Sequence, residues 1–129
     1  MEKQSTEYDI LIAKFAGWKI DNNFPDKNKV WRSPKGNVEF ESTFKFSSDW
    51  NDLHQVIDKI ESLTFREHNY NVHISKNKSI IQVTHYKTGS DLGFTKYIHI
   101  NDYPNSTKLQ RTYAIIIEFI KWFNEQQEL

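Results

Sequence analysis

Residues 113–124 read YAIIIEFIKWFN, and the width of the apolar surface they present decides what fold can hold them. At about 100° per residue, Leu109, Tyr113, Ile116, Phe119, Ile120 and Phe123 fall on one face of a helix. Ile115 and Trp122 widen that face on one side and Ile117 on the other, to an arc of roughly 220°. Only Gln110, Arg111, Ala114, Glu118 and Lys121 lie outside it. A sheet covers about half of a helix, so something else must cover the remainder. Ile116, Phe119, Ile120 and Phe123 are expected against a sheet. Ile115 and Trp122 are expected at its flank, against either another helix on the same sheet face or a second subunit.

Two further helices are legible upstream. From Thr6 the spacing of Tyr8, Leu11, Ile12, Phe15 and Trp18 is helical, with Thr6 as N-cap, Asp9 three residues later and Gly17 as the stop. Residues 1–5 read as a disordered tail ahead of a single domain over 6–129. The stretch SSDWNDLHQVIDKIESL at 47–63 has Ser47 or Ser48 as cap and acidic residues in its first turn, where the helix dipole favours them. Trp50, Leu53, Val56, Ile57, Ile60 and Leu63 form its apolar stripe. Trp50, Leu53, Ile57 and Ile60 are expected to be buried, with Gln55 and Lys59 exposed.

Between the helices the period changes to two. VWRSPKGNVEF at 30–40 reads as a short hairpin turning at Ser33-Pro34-Lys35-Gly36, and residues 20–29 as a loop. NVHISKNKSIIQVTHY reads as two strands turning at Asn77-Lys78, which pairs Ile74 with Ile81 and Val72 with Val83. Gly89-Ser90-Asp91 turns the chain into a third strand over 94–100, Tyr103-Pro104 breaks it, and Ser106 caps the last helix. The order α-β-β-α-β-β-β-α, with short turns between strands, predicts an α+β fold. It comprises an antiparallel sheet of about five strands, a short hairpin plus a three-stranded meander, packed with three helices.

Composition limits the functions. A chain of 129 residues with 17 basic and 17 acidic side chains has no excess charge to spend on phosphates. Arg32, Arg66 and Arg111 are its only arginines, although arginine is favoured for bidentate phosphate or base recognition. There is no cysteine, which removes thiol catalysis, disulfides and thiolate metal sites together. The N-terminus MEKQSTEYD has no apolar leader, and no apolar run approaches the ~20 residues that span a bilayer. A cytoplasmic protein without membrane contact is the expectation.

Three segments, LIAKFAGW at 11–18, SSDWNDLHQVIDKIESL at 47–63 and TYAIIIEFIKWFN at 112–124, together resemble the phage ABA-sandwich domain. This is a family of small proteins encoded by Bacteroides-group bacteria and their phages. Ala16 stands where the family pattern has Met, and residues 64–105 diverge from it. The resemblance implies an α/β sandwich and a mobile-element origin. The matching residues are mostly apolar and mark no catalytic group.

The polar residues offer three candidate surfaces. If Val72, Ile74, Val83, Ile98 and Ile100 face the core, alternation sends His73, Gln82, Thr84, Tyr86, Tyr97 and His99 to the opposite sheet face. Rings with polar tips, hydroxyls and amides there suit a flat ligand or a protein partner. Lys27, Lys29, Arg32 and Lys35, with Trp31 among them, could meet a single nucleic-acid strand by phosphate contact and stacking. Ile115 and Trp122 are the candidate oligomer contact. His54, Asp58 and Glu61 line one side of a helix, but two or three such groups without a metal-ligand motif make a solvated flank rather than a metal site. No cofactor and no catalytic residue is expected. The two functions that follow are a non-enzymatic accessory protein acting through protein–protein contact, as a homo-oligomer or with another chain, and a single-stranded nucleic-acid-binding module.

Overall fold

The computed structural model describes residues 2–21, 29–63, 68–84, 91–99 and 101–127. They form three helices, α1 (Glu2–Phe15), α2 (Trp50–Glu61) and α3 (Lys108–Gln127), and six strands, β1 (Lys19–Ile20), β2 (Val30–Arg32), β3 (Val38–Phe40), β4 (Asn69–Ile74), β5 (Lys78–Thr84) and β6 (Asp91–His99). The class is α+β, as the patterning predicts. The expected sheet of about five strands is instead two antiparallel sheets of three, ordered β1-β2-β3 and β4-β5-β6. The sixth strand is Lys19–Ile20, inside the sequence expected to be helix end and loop. Two residues are too short to show alternation, and they become a strand only because Arg32 and Trp31 are there to pair with them.

α1 begins four residues before Thr6, so the expected tail 2–5 is its first turn. Glu, Lys and Gln are strong helix formers, and their propensity outweighs the missing apolar period. Thr6 is therefore interior to the helix and not its cap. At the other end the stop is where the sequence places it. Gly17 takes φ +92°, Trp18 N–H donates to Ala13 O at 2.9 Å and Gly17 N–H donates to Lys14 O at 3.2 Å, the two bonds of a Schellman motif. A side chain here would be strained by the dihedral, and its Cβ would lie 3.1 Å from Pro34 Cγ in the β2–β3 turn. That turn has the expected chemistry, with Gly36 N–H donating to Ser33 O at 2.9 Å and Asn37 N–H to Ser33 Oγ at 3.0 Å. An aromatic cluster ties the small sheet to the core: Trp18 meets Phe44 edge-on at 5.4 Å, and Phe44 contacts Trp31 at 6.0 Å and Phe46 at 5.5 Å.

α2 buries Leu53, Val56, Ile57 and Ile60 and exposes Gln55 and Lys59. Trp50 is only half-buried, at the start of the helix with its ring beside His54. The N-cap is neither Ser47 nor Ser48. Asp49 Oδ1 accepts from Asn51 N–H at 2.8 Å and from Asp52 N–H at 3.4 Å, and a carboxylate at this position also gains from the dipole.

The β4–β5–β6 meander has the expected order, but β6 begins at Asp91, inside the expected second turn, and the first turn sits one residue earlier than expected, at Lys76-Asn77. Ser75 N–H donates to Lys78 O at 2.9 Å, so Val72 opposes Ile81, Tyr70 opposes Val83 and Ile74 opposes Ser79. Moving a turn by one residue moves each partner by two, which keeps every side chain on its face. The core face therefore survives the error in register. Arg111 holds the turn in place, its Nη2 donating to Lys76 O at 2.7 Å.

α3 answers the question of its own width. Thr112 Oγ1 lies 2.9 Å from Ser79 Oγ on β5 in a buried pair, and Arg111 reaches the β4–β5 turn, so this side of the helix faces the sheet. Ile115 belongs to it, being one turn on from both, and is fully buried within the single chain. It leaves no surface for a second subunit, and Trp122 packs against the core beside Phe119. The far side of α3 carries α1. Tyr113 OH donates to Asp9 Oδ1 at 3.0 Å, Lys121 Nζ sits 5.0 Å over the Tyr8 ring, and Phe15 meets Phe119 and Phe123 edge-on at 6.1 and 5.8 Å. The helix is wide in apolar surface because it lies between two layers. Phe119 and Phe123 touch the sheet as expected, each edge-on to Tyr70 of β4. Ile115, expected at the flank, joins them on the sheet side because two polar residues, Arg111 and Thr112, are turned toward the sheet.

Candidate functional site

The helices α2 and α3 pack on the face of the second sheet that carries Tyr70, Val72, Ile81 and Val83. The opposite face is the one the alternation singles out. On it His73 is exposed, and Ile80 and Gln82, on the central strand, are half-buried. The register sets His73 and Tyr97 on either side of Ile80, Asn71 opposite Gln82, and Lys78 opposite His99. His99 is half-buried, and its Nδ1 accepts from Asn101 N–H at 3.0 Å, which leaves Nε2 to carry the proton of the neutral ring. Thr84 departs from the expectation. It pairs with Asn69 beside a register shift at Val83/Thr84 and is buried at 8% exposure, so it presents nothing to a ligand. Tyr86 and Ile100 lie outside the described residues.

The basic hairpin does not form a stacking platform. Trp31 is 3% exposed, its ring against Phe44 and its Nε1–H donating to Glu41 Oε2 at 2.9 Å. Arg32 is committed to the chain itself, with Nε and Nη2 both donating to Asp21 Oδ2, at 2.9 and 2.7 Å, and Nη1 donating to Gly36 O. Lys29 and Lys35 are exposed, and Lys27 lies outside the described residues. A tryptophan flanked by cations reads the same in sequence whether its ring faces solvent or core, and here the core takes it. His54, Asp58 and Glu61 are exposed on α2, and among the described residues no group of three His, Asp or Glu is placed to hold a metal.

A second concavity was not anticipated by the patterning. A cleft of about 500 Å3 opens between α1, the segment before α2 and the outer side of α3. Tyr8, Tyr103 and Tyr113 bring three rings to it, and Ser47, Gln110 and Glu118 bring its polar groups, over Ala114 and Ile117. Behind Tyr113 lies Asp9, 5% exposed. Burial pushes its carboxyl up to about 6, against the opposing pull of the Tyr113 hydroxyl bond. A concave site beside a perturbed carboxyl is a common place for binding chemistry. The signal was present in the sequence as Gln110, Ala114 and Glu118, the residues left outside the apolar arc. Nothing in sequence shows that Tyr8 and Tyr103, from distant segments, meet them there.

Among the described residues no helix is long and apolar enough to cross a membrane. Comparison with protein-family models, with curated proteins and with solved structures finds no match to this chain.

Proposed function

We propose that this protein acts by contact with another protein, with no chemistry of its own, and that the outer face of the β4–β5–β6 sheet is the contact. The observation that carries it is the position of that face: α2 and α3 pack on the other side of the sheet, while His73 is exposed and Ile80 and Gln82 stand half-buried at its centre. A polar-tipped surface around a central aliphatic residue suits the core of a modest interface. An accessory role in the cytoplasm for a phage or other mobile element, the origin implied by the resemblance of the three helical segments, is a role of this kind. The partner is a second copy of the chain or a different protein.

Single-stranded nucleic acid is the competing occupant, with Lys78 and His99 opposite one another on the same face. Its weakness is the burial of Trp31, which removes the stacking group from the basic hairpin. A photo-crosslinking residue in place of His73, with Gln55 as the control position, separates the outcomes. The expected result is one protein adduct from position 73 and none from 55, lost when Ile80→Asp is added. Filter binding of an oligonucleotide with a steep salt dependence and no protein adduct would replace the reading with the nucleic-acid one. Neither adduct nor oligonucleotide binding would remove the sheet face from function.

A further inference from the structure

The tyrosine cleft is independent of the sheet face, and its chemistry is specific enough to name a ligand class. Its three rings come from α1, from the connection between β6 and α3, and from α3 itself. Among the described residues the one charged group lining it is the carboxylate of Glu118, which is exposed. We propose that this cleft binds an organic ammonium ion, held over tyrosine rings and opposite the Glu118 carboxylate.

Three observations point the same way. The face of an aromatic ring is negative and attracts cations, most strongly where water is partly excluded. The protein already uses this attraction at the site, because Lys121 Nζ stands 5.0 Å over the ring of Tyr8. Tyr113 donates its hydroxyl proton to Asp9 Oδ1 at 3.0 Å, and a phenol that donates to a carboxylate gains electron density in its ring. That ring lines the cleft. Ser47 supplies a neutral acceptor for an N–H group, and the volume of about 500 Å3 is in the range of small-molecule sites. An anion would find no cation among the described lining residues and would be repelled by the Glu118 carboxylate.

The same ammonium chemistry is offered by a free amine and by a lysine side chain of a partner, so the test has two arms. Amide NMR of the intact chain is followed during titration with tetraethylammonium chloride and, separately, with N-acetyl-lysine methylamide. Sodium chloride at matched ionic strength is the control for the first and the Nε-acetylated analogue for the second. Saturable shifts at Tyr8, Tyr113 and Glu118 are expected. Tetraethylammonium binding alone assigns the site to free organic cations, and binding of the lysine analogue assigns it to a protein side chain. Glu118→Gln, on the exposed side of α3, should weaken binding roughly fivefold. Lys121→Gln should strengthen it, by removing the internal cation from Tyr8. Shifts reproduced by sodium chloride, shifts unchanged by Glu118→Gln, or no saturable shift in either arm would overturn the proposal.

Discussion

Asp9 is polar in the sequence and part of a helical stripe only by position, yet it is 5% exposed and takes the Tyr113 hydroxyl as partner. Its carboxyl, at about 6 instead of 3.8, has a defined effect on stability. Between those two values the folded chain holds a proton that the unfolded chain has lost. The contribution of Asp9 is therefore full below about pH 4 and is lost as pH rises toward 6, up to about 3 kcal/mol across the window. Asp9→Asn should flatten that part of the stability–pH curve in urea unfolding between pH 4 and 7. A difference between the two proteins that does not change with pH would mean that Asp9 is ionised throughout. Arg111 is the converse case. It is 2% exposed and, among the described residues, forms no ion pair. Its Nη1 donates to Ser106 O and Oγ and its Nη2 to Lys76 O, while Nε has no partner. Neutral acceptors satisfy most of a buried cation here, and a planar fork is what lets one side chain reach both segments.

The helix ends show how close sequence signals can be to one another and still be separated by geometry. Ser106 has the right chemistry for a cap, but α3 is capped by Thr107. Thr107 Oγ1 accepts from Gln110 N–H at 3.1 Å and Gln110 Oε1 accepts from Thr107 N–H at 2.8 Å. The pair is a capping box, T-x-x-Q, and Ser106 is drawn instead into the Arg111 network. Thr107→Ala should lower stability by about 1 kcal/mol, read as a shift in the urea midpoint, and Thr107→Asp should restore most of it. A loss of similar size with both substitutions would assign the effect to something other than the cap. On α2 the same competition favours Asp49 over the two serines before it. Asp52, one turn in, has its pKa raised by burial and by the neighbouring Asp49, so the first turn of α2 does not gain from both acids equally.

At the scale of the molecule α3 is the element on which the two layers meet. Phe119 lies edge-on to Phe15 of α1 at 6.1 Å and to Tyr70 of β4 at 6.0 Å, and Phe123 touches the same two rings. Phe119→Ala should cost roughly 3–5 kcal/mol, as a large core truncation between two surfaces that cannot collapse together. Calorimetry should show the loss in one cooperative transition. A change below about 1 kcal/mol would mean that the layers are held elsewhere. Much of this architecture was legible in residues 113–124, in the stripe of α2 and in the alternation of the meander, because burial imposes a period that depends on local geometry alone. The two-residue strand β1, the depth of Trp31 and the burial of Thr112 were not legible. Each depends on a partner far along the chain: Arg32 for Lys19, Phe44 for Trp31, Ser79 for Thr112. The tyrosine cleft is of the same kind, since its rings come from positions 8, 103 and 113 and share no local pattern. By itself the sequence determined which segments are helical, which strands pair in the meander and which residues alternate. Tertiary structure alone decided which polar groups may face the core, because a buried Thr, Asp or Arg is tolerated only where another segment supplies its hydrogen bond.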